Sequence, residues 1–377
     1  MNSKNNISPR RRVELALHNE FVDKVPFTVF GTYWGGVSIE NPTTPFLKYI
    51  PQSTTERYLR NRGLCLVDMT YWGYGIIRPN VRVKSTIYDE NGRFMIRTDY
   101  DSELGNLYTV KEVSDFTVWY HSKMFKTHDD YKKILFLLND TKVISDNDYG
   151  LKLLNTVGED VILRGDFGFE PLQELITGDF FNTEQFSIQW VDNRDEMLRL
   201  YEAIVSIRRL AYKIVADSPL YYVCYGGNVT PAIISPENFK KYYVPHYEEA
   251  AEELHRKNKI IACHFDANMS LFKDIIADTP LDVIEAFTPY PDTDMTMKEA
   301  KKAWKNKALW INFPSSLHLA SQEKIAQTTE QLIDEGGPDG LLIGITEDVP
   351  QNRWWPNFTT IIETIDKKFK IDPGSYI

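Results

Sequence analysis

His264-Phe265-Asp266 sets an imidazole and a carboxylate two residues apart, so on an extended segment both side chains point the same way. Glu285 lies inside the apolar run VIEAFT, where an unpaired charge is costly to bury. Glu347 follows directly on the apolar run LLIGIT. His264, Asp266, Glu285 and Glu347 are therefore candidate ligands for a divalent metal. One nitrogen with oxygen donors suits Zn²⁺ in a catalytic site that keeps a coordination position open. His264 and two carboxylates already neutralise a dication, so one of the three is expected to stand behind the ligands or to yield to substrate. The plain alternative is a hydrogen-bonded core histidine and a glutamate paired with an arginine. Glu249 and His246, on an amphipathic stretch, are weaker candidates.

Aromatic residues form the second group. Tyr33, Trp34, Trp72, Tyr74, Phe167, Phe169 and Tyr225 all follow the ends of apolar runs, with glycines between them. They could cap a core. The functional reading is a flat-walled pocket in which Tyr33, Trp34, Trp72 and Tyr225 hold a planar ring and Asp166 orients a substituent. No dinucleotide fingerprint and no phosphate-binding loop occurs.

Such groups need a scaffold, and eight short apolar runs supply one: 25–30, 64–69, 161–166, 220–225, 260–265, 283–288, 309–313 and 341–345. Runs that are apolar on both faces suit a buried parallel sheet. Helical patterns separate the later ones: 192–216, a stretch from Ser235-Pro236 to about Lys257, and 321–335. The pattern predicts a (β/α)₈ barrel, with a doubly wound open sheet as the alternative. Residues 81–110 break the rhythm with β-branched alternation around Asn91-Gly92, predicting an antiparallel excursion after the second strand. In a barrel, function sits at the C-terminal strand ends, where the residues named above fall.

The chain has 377 residues, a net charge of −10 and 42% hydrophobic residues, ample for a large core. Barrels often reach this size as one unit, so a single domain over 1–377 is expected. The acidic balance argues against nucleic acid or an anionic membrane as partner. Cys65, Cys224 and Cys263 are odd in number and far apart, forming neither a disulfide framework nor a zinc knuckle. No apolar stretch is long enough to span a bilayer, and the expectation is a cytoplasmic protein.

The opening Arg10-Arg11-Arg12-Val13-Glu14-Leu15-Ala16-Leu17 and Asp23-Lys24-Val25-Pro26, with Ser235-Pro236-Glu237-Asn238-Phe239, His264-Phe265-Asp266 and Gly344-Ile345-Thr346-Glu347-Asp348, resemble the uroporphyrinogen decarboxylase superfamily. Within it the chain resembles the zinc-dependent, corrinoid-linked methyltransferases. That resemblance implies a His-x-Cys pair after strand 5, a Cys after strand 8 and a Glu between them as zinc ligands. Here His264 and Glu285 match, while Asp266 and Glu347 stand where the thiolates would be. Losing both thiolates leaves a harder, more Lewis-acidic ion, suited to an ether oxygen rather than a thiol. The decarboxylase's Arg-rich loop after strand 1 is replaced by Phe30-Gly31-Thr32-Tyr33-Trp34-Gly35-Gly36, which offers no cation to a polycarboxylated porphyrinogen.

The resemblance thus implies a methyltransferase of the O-demethylase type, moving a methyl group from a methoxylated, aromatic substrate to the Co(I) of a separate corrinoid protein. His264, Glu285 and Glu347 would be catalytic through the zinc they hold. No corrinoid-anchoring Asp-x-His-x-x-Gly pattern occurs, so the cobalamin-type cofactor is expected on the partner. The alternatives are a methylcorrinoid:thiol or folate methyltransferase, a decarboxylase-like lyase and a cobamide-binding protein. A homodimer stays open.

Overall fold

The structure, a computed structural model, describes residues 7–21, 23–30, 53–114, 117–347, 349–350 and 352–372. Eight parallel strands close into a barrel: β1 (Phe27–Phe30), β2 (Leu64–Asp68), β3 (Val161–Asp166), β4 (Tyr222–Tyr225), β5 (Ile260–His264), β6 (Val283–Phe287), β7 (Ala308–Asn312) and β8 (Leu341–Ile345). Their order around the barrel follows the chain, and β8 pairs with β1 to close it. With helices between the strands this is the (β/α)₈ architecture that the apolar runs predict. The stretch expected to be one helix from 235 to 257 is two, Pro236–Tyr242 and Val244–His255. Pro245 lacks the N–H needed to extend the first helix's ladder.

Alternation along the strands sorts the core into two layers. Cys65 and Val67, Tyr222 and Cys224, and Ile260 and Ala262 face inward, with Trp310 and Leu342. The opening helix α1 (Pro9–Leu17) packs Val13, Ala16 and Leu17 into the same cluster, closing the bottom of the barrel. Trp310 is held upright by its indole N–H, which donates to Thr28 Oγ1 at 2.8 Å. The residues of opposite parity face the surrounding helices and form the larger cluster.

The excursion after β2 is a four-stranded antiparallel sheet: Arg82–Glu90, Arg93–Ser102, Gly105–Val113 and Val118–Ser122. It therefore runs beyond the predicted 81–110. Asn91 (φ 57°) and Gly92 (φ 80°) both take the left-handed conformation that a two-residue hairpin requires. Gly75–Ile77 pairs antiparallel with Lys142–Ile144, forming a neck through which the insert leaves and rejoins the barrel. Asp179 fastens it, receiving Tyr100 Oη at 3.3 Å and Lys111 Nζ at 3.0 Å. Lys123 Nζ donates to the carbonyls of Thr177 (2.9 Å) and Gly178 (2.7 Å) at the end of the helix Pro171–Thr177. No described helix is long and apolar enough to cross a membrane.

One buried ion pair ties the start of the barrel to its end. Lys24 Nζ lies 2.6 Å from Asp366 Oδ1, with both side chains almost wholly buried. Arg62 Nη2 reaches the other oxygen at 3.0 Å. Burial pulls the Lys24 amine down to about 8, against the attraction of Asp366. Removing the carboxylate would strand two cations in the core. Asp366→Ala is expected to cost roughly 3–5 kcal/mol in urea unfolding, against under about 1 kcal/mol for Asp334→Ala in the exposed Lys368–Asp334 pair.

Candidate active site

His264 ends β5 and Asp266 lies two residues on, and their side chains are about one-fifth exposed at the barrel mouth. His264 Nε2 and Asp266 Oδ2 are 3.5 Å apart, as an extended segment would place them. The other ring nitrogen, Nδ1, is 2.9 Å from Glu285 Oε1 on β6. This bond fixes the ring's orientation and directs Nε2 to the mouth. Burial pushes the Asp266 carboxyl up, but the hydrogen bond and charge of His264 outweigh it, and the group ends below its usual range.

Glu285 is fully buried inside the barrel, and its surroundings explain why it can be. Arg164, inward on β3, grips it with two nearly parallel bonds: Nε to Oε2 at 2.9 Å and Nη2 to Oε1 at 3.0 Å. The Tyr222 hydroxyl donates to Oε2, and the Cys224 thiol sits 3.4 Å from Oε1. Burial raises the Glu285 carboxyl above its ordinary value, and Arg164 opposes that rise. Burial likewise pushes the Cys224 thiol up to about 12, so it is a neutral donor here. Arg164 Nη1 turns the other way and donates to Asp166.

The backbone is distorted at this point. The register between β6 and β7 shifts between Glu285 and Phe287, and Ala286 has φ 58°. A left-handed conformation at a residue with a Cβ costs roughly 1–2 kcal/mol. Bulges and strain of this kind gather at functional sites, where they re-aim a side chain.

The predicted site residues divide clearly. His264, Asp266 and Glu285 are brought together. Trp72 is 47% exposed on the loop after β2, edge-on to Tyr74 at 6.3 Å between ring centroids. Asp166 ends β3 as expected, but its carboxylate is engaged by Arg164 and by the Gly168 N–H at 2.6 Å. Tyr225 does not line the mouth. Since Tyr222 and Cys224 point inward, Tyr225 points into the helix layer, fully buried, with its hydroxyl 2.6 Å from that of Tyr212. Glu249 faces outward to Arg209 (2.7 Å), and His246 is a buried partner of Tyr201 (2.7 Å). Tyr33 and Trp34 lie outside the described residues. Sequence reading missed Arg164, Tyr222 and Cys224. The signal was present: Arg164 is a charge within an apolar run, two residues before Asp166 and on the same face.

A further carboxyl, Glu170, lies behind the mouth. It is fully buried, its Oε1 receives the Tyr247 hydroxyl, and its Oε2 has no hydrogen-bond partner. It packs under Gly226 (φ 66°), where an added Cβ would fall within 2.1–2.3 Å of the carboxyl group. The next residue, Gly227, backs onto the His264 ring. The loop after β4 must therefore be glycine at 226 for the ring to be supported.

A catalytic zinc takes three protein donors. His264 Nε2 and Asp266 are available, but both Glu285 oxygens are committed to Arg164, Tyr222 and His264. Glu347 follows β8 half-buried, yet no group of three or more His, Cys, Asp or Glu that could hold a metal occurs among the described residues. The described residues thus fall one donor short of the expected zinc site.

The geometry defines a class: a parallel (β/α)₈ barrel with an oriented imidazole and a carboxylate at its C-terminal mouth. Residues 184–367 match the family model described as Uroporphyrinogen decarboxylase (URO-D). The matched stretch carries β4 to β8, with His264 and Glu285 among its residues. No curated protein matches the sequence. Among solved structures, a methyltransferase from Methanosarcina mazei is similar with a TM-score of 0.58 at 12% identity, covering 97% of this chain and 100% of that one. A B12-independent methionine synthase from Shewanella sp. W3-18-1, in complex with selenomethionine, has a TM-score of 0.45 at 10% identity, covering 84% and 86%. At these identities the likeness to the first is one of fold.

Burial lifts Glu170 to about 7, so the folded chain holds a proton that the unfolded chain releases above its ordinary 4.5. The stability linked to that proton is full below about pH 4.5 and lost as pH rises through 7. Glu170→Gln is expected to unfold like the parent at pH 4.5 and to be more stable at pH 8, by up to roughly 3 kcal/mol, in chemical denaturation at both pH values.

Proposed function

We propose that this chain is a methyltransferase that removes the methyl group of a methoxylated aromatic compound and delivers it to a separate corrinoid protein. One observation carries the reading: buried Glu285 holds His264 by Nδ1, leaving Nε2 aimed at the mouth beside Asp266. Exposed Trp72, on the loop after β2, supplies a flat surface for a ring. The superfamily match and the barrel shared with the Methanosarcina mazei methyltransferase support the reading at the level of scaffold.

An ether is a poor methyl donor because its oxygen must leave with the bonding pair. The enzyme gains rate by stabilising charge that develops on that oxygen only as the bond breaks. A corrinoid on the partner would supply the nucleophile, as Co(I), to which the methyl group would pass. As the carbon–oxygen bond breaks, the electron pair stays on oxygen and the Nε2 proton of His264 moves to it, releasing the phenol. Glu285 holds the ring by Nδ1, Asp266 stands beside Nε2, and solvent at the mouth restores the proton. Arg164 opposes the rise that burial imposes on the Glu285 carboxyl and holds it in place. With two donors among the described residues, zinc is the second reading. Glu285 behind the ring is the arrangement by which carboxylates orient metal-binding histidines.

The test is methyl transfer from methoxyarenes to a corrinoid protein reduced to Co(I), with thiols as competing substrates. His264→Gln is expected to lower turnover about 100-fold or more. Glu285→Gln should lower it by about 10–100-fold while the barrel stays folded. Undiminished transfer in the His264 variant, or preferential methylation of thiols, would overturn the proposal. Zinc bound one-to-one in the parent and lost in His264→Gln would assign the electrophile to the metal.

A further inference from the structure

The four-stranded excursion ends on one side in the strand Arg82–Glu90, which pairs only with Arg93–Ser102 among the described residues. It is nine residues long and exposed along nearly its whole length. Glu90 and Arg93 flank the two-residue turn, so they form a hydrogen-bonded pair. Alternation then turns the backbone N–H and C=O of residues 82, 84, 86, 88 and 90 toward the neighbouring strand. Those of Val83, Ser85, Ile87 and Asp89 face outward, which is a template for one more strand.

The order of side chains selects that strand. Arg82 and Lys84 stand at one end, Asp89 and Glu90 at the other. A second copy laid antiparallel, with a two-fold axis through Thr86, sets Arg82 opposite Glu90 at both ends. A parallel copy would set like charges together, which is unfavourable. The same register satisfies the backbone. Ser85 faces Ile87 and Val83 faces Asp89, so every outward N–H and C=O meets its counterpart, while a one-residue slip breaks this match.

The sheet's apolar face agrees. Val83, Ile87, Phe94 and Val118 share one face through the pairs Asp89–Phe94, Phe94–Val113 and Val113–Val118. They are 50%, 60%, 50% and 48% exposed. The two-fold axis brings the Val83–Ile87 edges of two copies side by side. We propose that the chain forms a two-fold symmetric homodimer in which Arg82–Glu90 pairs with its copy, joining two excursions into one eight-stranded sheet. The contact is isologous and closed, so it ends at two copies.

Thr86 meets its own copy as a non-hydrogen-bonded pair, with Cα atoms about 4.5 Å apart, within reach of a disulfide. The three native cysteines are buried. Thr86→Cys, mildly oxidised, is expected to run at twice 43.8 kDa on a non-reducing gel. In analytical ultracentrifugation the parent should sediment as a dimer, and Ser85→Pro, which removes an outward N–H and the exposed side-chain bond to Thr98 Oγ1 but no backbone bond to Arg93–Ser102, as a folded monomer. Arg82→Glu should weaken the dimer by about tenfold or more, and the double exchange with Glu90→Arg should restore it. A monomeric parent at about 100 μM, a Ser85→Pro variant that stays dimeric, or a Thr86→Cys variant that does not cross-link would each overturn the proposal.

Discussion

A carboxylate inside a closed barrel has no water to stabilise it, and the interior here is organised around meeting that constraint for Glu285. Arg164 crosses from β3 to grip it, Tyr222 and Cys224 rise from β4 to donate to it, and the strand's register breaks directly after it, at Ala286. A buried ion pair contributes little net stability, because desolvation offsets most of the attraction. Its effect is geometric. Each partner holds the others in one arrangement, and the last link, His264, carries that arrangement to the mouth. Function in this barrel depends on order at a depth that solvent does not reach.

The same network sets the electrostatics of the mouth. Arg164 brings one positive charge between Glu285 and Asp166, and Asp266 adds a negative one at the rim. Three acidic side chains and one guanidinium thus surround the His264 ring or the groups that hold it. Beneath it the interior is apolar down to α1, so the polar groups are confined to the upper layer where strand ends meet loops.

Much of this was legible in the sequence. Eight apolar runs became eight strands because burial on both faces leaves little room for another pattern, and Asn91-Gly92 fixed the hairpin through its left-handed turn. His264 and Asp266 were found by alternation alone. The reading failed where parity was not applied. Tyr225 follows Cys224 by one residue and so faces outward, and Arg164 follows the same rule inward with Asp166. Glu285 was recognised as an anomaly, but its partner lies 121 residues away and no local pattern joins them. The left-handed Ala286 carries no signal at all, since alanine gives no warning of such a conformation.

The neck between Gly75–Ile77 and Lys142–Ile144 sets the sheet apart from the barrel. The chain departs and returns at adjacent points, and Asp179, Lys123 and the buried face of the helix Asp130–Asn139 add further ties between the excursion and the barrel side. β2 and β3 pair directly with each other, Leu66 with Val161 and Asp68 with Leu163, so their register does not run through the appendage. Barrel closure and the excursion's own fold are thus laid down by separate ladders of backbone bonds.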